Sequence, residues 1–196
     1  AVPEIILSFN NKFDLELNTF PSAEAQVTSL ADDIAYNNHD IDDGLRAGLF
    51  TVKDLGELPI IGELVHEVLR LYGPDLEHSR LSNEIVRRTI DLMVNDLLKE
   101  TKFRFAGLNP QSAADVRRAG FSLVNFSEKM QRDNLSVKDF LHTNMYRHPS
   151  VSEMTKKAQI IIKNLFQALC SDKSALPLEW QSKITNNKER DTRLIA

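Results

Sequence analysis

The chain has 196 residues, enough for one substantial core or a closely joined pair of helical subdomains. Its 42% hydrophobic and 27% charged residues are ordinary for a soluble globular protein, and a net charge of −4 with a pI of about 5.8 gives no whole-chain case for nucleic acid or an anionic membrane as partner. The single cysteine, Cys170, excludes an intrachain disulfide framework and a Cys-based zinc site and fits a reducing cytoplasm, and no run approaches the length of a membrane span.

In chain order, residues 1–20 carry short apolar pieces, Ile5-Ile6-Leu7 and Phe13 to Leu17, broken by Asn10-Asn11. They predict an irregular lead-in with about one helical turn. Pro21-Ser22 then opens a helix over 22–48, with Ser22 as N-cap and Gly44 or Gly48 as its close. At 3.6 residues per turn Val27, Leu30, Ala31, Ile34, Ile41 and Leu45 share one side, and Asp32, Tyr36, Asp40 and Asp43 the other. Periodicity alone describes an amphipathic surface helix whose acidic side meets water. However, the clustered carboxylates repel one another, and no Lys or Arg lies between Lys12 and Arg46 to offset them. A metal ion, or a metal with bound polyphosphate, would answer that charge.

Thr51-Val52-Lys53-Asp54 has capping-box spacing and starts a short helix that ends before Pro59. Ile60, Ile61, Leu64, Val65, Val68, Leu69 and Tyr72 then define a core helix stopped by Gly73-Pro74, and His66 within it reads as structural. The longest helical pattern runs from Asp75 to about Phe105, with Ile85, Thr89, Leu92, Met93, Leu97 and Phe103 as its buried side. Arg80, Arg87 and Arg88 punctuate its first half as a solvated face or as phosphate ligands, Arg80 being the favoured ligand. Ser112 to Ala119 predicts a short helix before Gly120. Phe121 to Ser127 alternates like a strand, but no second alternating run exists to pair with it. Ser136-Val137-Lys138-Asp139 predicts the start of a further helix that stops at Arg147-His148-Pro149, and Val151 to Leu169 predicts a strong final one. Leu176 to Trp180 reads as an irregular packing segment, and Thr185 to Arg193 as a polar, mobile stretch. The pattern as a whole predicts an all-α helical bundle over 1–196, a single helical region with the acidic-faced helix at 22–48 and a helical subdomain at 75–171.

Two runs carry more than pattern. Glu24-Ala25-Gln26 followed by Leu30 to Gly48, and Met145-Tyr146-Arg147-His148-Pro149 with the downstream Lys157-Ala158 and Leu165-Phe166, resemble the HD-domain deoxynucleoside triphosphate triphosphohydrolases, in particular the dGTPase-like proteins of bacteria. The resemblance spans nearly the whole chain. It implies an HD phosphohydrolase fold, a divalent metal such as Mg or Mn, a dNTP substrate, and hydrolysis to deoxynucleoside and tripolyphosphate in a homo-oligomeric, cytoplasmic enzyme without membrane attachment. Members hold the metal with a His, a His-Asp pair and a distal Asp, and only the distal Asp has a counterpart here, Asp32. The other ligands would precede Ala1. His39-Asp40 follows the distal Asp and does not replace them. The resemblance further implies that Tyr36 stacks under the sugar and that Asp40 accepts a hydrogen bond from the 3′-hydroxyl. The expectation is therefore an enzyme fragment with an incomplete metal site and no catalytic group assignable on it. Two alternatives remain at this level: a non-catalytic helical interaction module, and an HD phosphohydrolase acting on another nucleotide.

Overall fold

A computed structural model describes residues 2–73, 75–185 and 188–195. Among them are helices and turns only, with no strand. The all-α expectation therefore holds. The chain falls into two compact units, Ala1–Met145 and Tyr146–Ala196.

The first unit is built on α2 (Ala23–Arg46), α4 (Pro59–Tyr72), α5 (His78–Leu108) and α7 (Glu128–Leu141). Short helices α1 (Glu4–Asn10), α3 (Val52–Leu55) and α6 (Ala113–Arg117) complete it. The core is a single cluster to which α2 gives Ile34, Ile41 and Leu45, α4 gives Ile60, Ile61, Val65 and Val68, and α5 gives Ile85, Met93 and Leu97. Burial of each such aliphatic side chain contributes about 1.5–3 kcal/mol, so these seams decide how the long helices lie. α5 packs on α2, and α4 and α7 close the remaining sides.

Local signals set several boundaries. Ser22 caps α2 by accepting from the Ala25 amide at 3.4 Å, and Thr51 and Asp54 form the reciprocal capping box. Gly48, at φ 66°, ends α2, whereas Gly44 lies buried inside the helix with the Phe50 ring against it. Asn109 ends α5 in the left-handed region at φ 50°. Gly73 (φ 84°) follows α4; Pro74, the other half of that predicted stop, lies outside the described residues.

Two expectations change and one holds. α7 starts at Glu128 rather than near Ser136, because Ser127 caps it and is itself gripped by Asp96 of α5 through both its amide and its hydroxyl. Ser136 lies mid-helix, its hydroxyl donating back to the Arg132 carbonyl. On α5, Leu92 and Phe103 are exposed, Phe103 to 73%, so the buried stripe is narrower than the apolar pattern. The alternating segment 121–127 forms no strand. Buried Gln26 of α2 holds it instead, its Oε1 accepting from the Val124 amide and the Ser122 hydroxyl while its Nε2 donates to the Pro21 carbonyl at 2.7 Å.

The second unit follows a π-helical turn, His142–Tyr146, and consists of α8 (Pro149–Ser171), a 3-10 turn (Lys173–Ala175), α9 (Leu178–Gln181) and α10 (Lys188–Ile195). α8 buries none of its residues fully. Part of the stretch expected to be mobile is helix α10. Its Asp191, 2% exposed, accepts from the Lys173 ammonium at 2.5 Å and from the Thr185 amide at 3.0 Å. Half-buried Cys170 is a free thiol. No helix is long and apolar enough to cross a membrane, among the described residues.

Candidate functional site

The candidate site is one face of α2. Asp32, Tyr36 and Asp40 stand at i, i+4 and i+8, about 6 Å of helix rise apart per step. Asp32 is exposed and its carboxylate meets no partner among the described residues. Tyr36 is 64% exposed, its ring projecting from the helix. Asp40 is half-buried and engaged within the protein. The helix is held from behind by Ile34, Ile41 and Leu45, and also by Asn37 and Asn38, both buried. Asn37 donates through Nδ2 to Asn134 of α7 at 2.7 Å, a contact 97 positions apart in sequence. This pair pins α2 to α7 directly behind the Tyr36 turn.

The acidic face is less bare than its sequence. Lys138 of α7 donates to Asp33 at 2.8 Å, and Arg46 donates to Asp42 at 2.7 Å, which together with the Asp43 charge holds the guanidinium above its usual range. Thus the cation missing locally arrives from 105 residues downstream, through tertiary packing. Lys138 neutralises Asp33 and the local Arg46 neutralises Asp42, the carboxylates beside the candidate ones. Asp32, on the outer line of the helix, keeps an unpaired charge. The Asp42–Arg46 pair was legible from its i, i+4 spacing. Lys138 and the Asn37–Asn134 pair were not, because no local signal announces a partner on another helix.

The arginines of α5 separate by their partners. Glu84 grips Arg87 at 3.0 Å and Arg88 at 3.1 Å, and Glu67 of α4 adds a second bond to Arg88 at 2.8 Å. Glu84 in turn is held below the usual carboxylate range by these hydrogen bonds. Arg80 has no ion pair among the described residues and lines a cavity of about 370 Å³ with Tyr72, Leu76, Asn83, Glu84 and Arg87. That cavity contains none of Asp32, Tyr36 and Asp40. The structure thus brings the three α2 residues onto one face and leaves Arg80 in a separate pocket. His66 is exposed on α4, and His39 is exposed at the edge of α2.

A metal needs more than Asp32. Among the described residues no group of three or more His, Cys, Asp or Glu is placed to hold an ion.

Residues 124–196 match the family model of the phosphohydrolase-associated domain. The chain is 48% identical over 181 residues, 92% of its length, to a deoxyguanosinetriphosphate triphosphohydrolase-like protein of Parvibaculum lavamentivorans, and covers 46% of that protein. It is 46% identical over 182 residues to the protein of the same description from Brucella anthropi, covering 93% of this chain and 45% of the relative. The chain is thus similar to dGTPase-like proteins over nearly its whole length. It spans about half the length of the curated relatives it matches. The match includes the α2 segment that carries Asp32, Tyr36 and Asp40, since no alignment of 92% of this chain can omit a run so central. That is the likeness the two sequence runs predict.

Proposed function

We propose that this chain supplies one wall of the active site of a metal-dependent dNTP triphosphohydrolase, which cleaves a deoxynucleoside triphosphate to deoxynucleoside and tripolyphosphate. One observation carries the reading: Asp32, Tyr36 and Asp40 line one face of α2 in helical register, and Asp32 alone among the acidic residues of the 32–33 pair lacks a cationic partner. Cleavage puts a water oxygen on the α-phosphorus and releases the 5′-oxygen as the nucleoside hydroxyl. Each α2 residue has a distinct part in that step. Asp32 would contribute one hard oxygen ligand to a divalent ion, and no group among the described residues completes the set. Tyr36 offers a rigid aromatic face against the deoxyribose. Asp40, fixed by its surroundings, accepts from the 3′-hydroxyl, two turns along the same face from Asp32. Arg80, the unpaired arginine of α5, is proposed to meet the polyphosphate, although it lines a different pocket from the α2 face. Assembly as a homo-oligomer and a cytoplasmic location belong to the same proposal.

The test is a pair of substitutions in the intact parent protein. Asp32→Ala removes a metal ligand, so turnover collapses and bound metal falls with it. Asp40→Ala removes one charge-assisted hydrogen bond worth about 1.5–3 kcal/mol, giving about a ten- to hundredfold loss in kcat/KM with metal content unchanged. Equal metal loss in both variants overturns the assigned roles. Near-normal activity in both returns α2 to a solvated acidic face. The isolated chain, lacking the other ligands, is expected to release no tripolyphosphate from dGTP with Mn²⁺.

A further inference from the structure

Lys138 of α7 stands at the edge of the candidate face, and its place follows from the register of two helices. Asp33 and Asn37 lie one turn apart on α2, and Asn134 and Lys138 lie one turn apart on α7. Lys138 donates to Asp33 at 2.8 Å and Asn37 donates to Asn134 at 2.7 Å, so the two helices run antiparallel and Lys138 is the α7 residue at the Asp32 end. Each helical residue turns about 100° from the last, which puts Tyr36, Asp40 and Asp33 about 40°, 80° and 100° round from Asp32. Asp33 therefore borders the stripe that carries the candidate residues. Along the axis it lies about 1.5 Å from Asp32 and about 10 Å from Asp40, and its cation borders the same stripe at the same end.

The ion pair leaves that cation usable. The Lys138 side chain is 40% exposed and that of Asp33 43%. An ammonium has three donors, and the bond to Asp33 takes one of them. The arginines of the neighbourhood are committed or placed elsewhere: Arg46 stands beyond Asp40 and is bonded to Asp42, Arg87 and Arg88 are held by Glu84, and Arg80 lines a pocket that holds none of the three α2 residues. A nucleotide laid along the face with its sugar at Tyr36 and Asp40 brings its phosphates to the Asp32 end. A triphosphate chain carries about four negative charges near neutral pH, a divalent ion offsets about two of them, and Asp32 adds one more. The remainder calls for a cation at that end, where Lys138 is.

We infer that Lys138 binds the phosphate chain of the substrate, its ammonium bridging Asp33 and a phosphate oxygen, with Asp33 as the tether that aims it. The inference rests on the proposed hydrolase reading for the direction in which the nucleotide lies. A lysine suits this place as a compact point charge on a flexible stem, which can follow whichever phosphate oxygen comes nearest. The pair with Asp33 is too exposed to matter much for folding, so a loss of phosphate binding on removing the ammonium is a loss of contact and not of structure.

The experiment uses the intact parent protein, with inorganic tripolyphosphate as the probe of the phosphate chain and deoxyguanosine as the probe of the sugar and base. Binding of each is measured by calorimetry with Mn²⁺ present, and dGTP hydrolysis is followed alongside. Lys138→Met keeps the apolar stem and removes the charge. It is expected to weaken tripolyphosphate by about tenfold or more and to raise KM for dGTP in step, while deoxyguanosine affinity, bound metal and the urea midpoint stay unchanged. Lys138→Arg keeps the charge and is expected to hold tripolyphosphate within about threefold of the native protein. Asp33→Asn breaks the ion pair but leaves the ammonium, so it is expected to cost less than Lys138→Met. Equal losses in those two variants, or equal weakening of tripolyphosphate and deoxyguanosine, would reduce Lys138 to a packing contact between α7 and α2 and overturn the inference. Turnover of dGTP by a parent protein whose tripolyphosphate binding ignores Lys138→Met sinks the contact and leaves the hydrolase reading standing. Tripolyphosphate binding that depends on Lys138 in a parent protein that does not cleave dGTP counts against the proposed function and leaves the phosphate contact standing.

Discussion

Gly44 is a glycine in the last turns of the candidate site helix, and replacing it with alanine opposes two effects of known size. In an ordinary helix Gly44→Ala would stabilise by up to about 1 kcal/mol, since glycine is a poor helix former. Here an added Cβ would lie 2.2 Å from both Cε1 and Cζ of Phe50. Van der Waals contact begins near 3.4 Å, so the ring must retreat by more than about 1 Å. It has little room to do so, being buried and set edge-on against Phe140 with centroids 5.0 Å apart. Overpacking of this kind costs about 1–3 kcal/mol, and the rigid ring puts the cost in the upper part of that range. The net expectation is a loss of about 1–2 kcal/mol in urea unfolding followed by far-ultraviolet circular dichroism. A second variant isolates the cause. In a Phe50→Leu background the collision is gone, so Gly44→Ala is expected to be neutral or mildly stabilising, and the coupling in that double-mutant cycle equals the strain. Stabilisation by Gly44→Ala in the native background, or an equal loss in both backgrounds, would refute the reasoning.

Three further outcomes follow from the same geometry. Gln26→Ala strands the Val124 amide and the Pro21 carbonyl, and is expected to cost about 2–4 kcal/mol and to loosen residues 121–127 first in hydrogen exchange. Asp191 is held down to about 2, from an ordinary value of 3.8, by the Lys173 ammonium first and then the Thr185 amide, so its folded form is favoured above pH 4 and that contribution is lost as pH falls through 2. The only tryptophan, Trp180, lines a pocket with Leu194 and Ile195 of α10, so its fluorescence should report acid release of α10 between about pH 4 and 2, and Asp191→Asn should abolish that pH dependence. Lys138→Ala breaks a half-exposed ion pair and should change stability by less than about 1 kcal/mol, measured in the same urea titration.

What the sequence determined by itself is the helical content and most of its punctuation. Ser22, the Thr51–Asp54 box, Pro59, Asn109 and Pro149 act through backbone groups within a few residues, so their effect is readable locally. The placement of Asp32, Tyr36 and Asp40 on one face of α2 is legible for the same reason, since the helix repeat alone fixes it. Tertiary structure decided everything that depends on which helix lies beside which. It brought Lys138 to Asp33, Asn134 to Asn37 and Glu67 to Arg88, and it left Arg80 as the arginine of α5 without an ion pair among the described residues. It also buried Gly44 under Phe50, started α7 at Ser127 because Asp96 grips that cap, and left Leu92 and Phe103 of an apolar-looking stripe in solvent. The physical reason is common to all of these. A side chain's burial and its ion-pair partner depend on atoms tens of residues away in sequence, and periodicity carries no information about which of two apolar faces finds a neighbour.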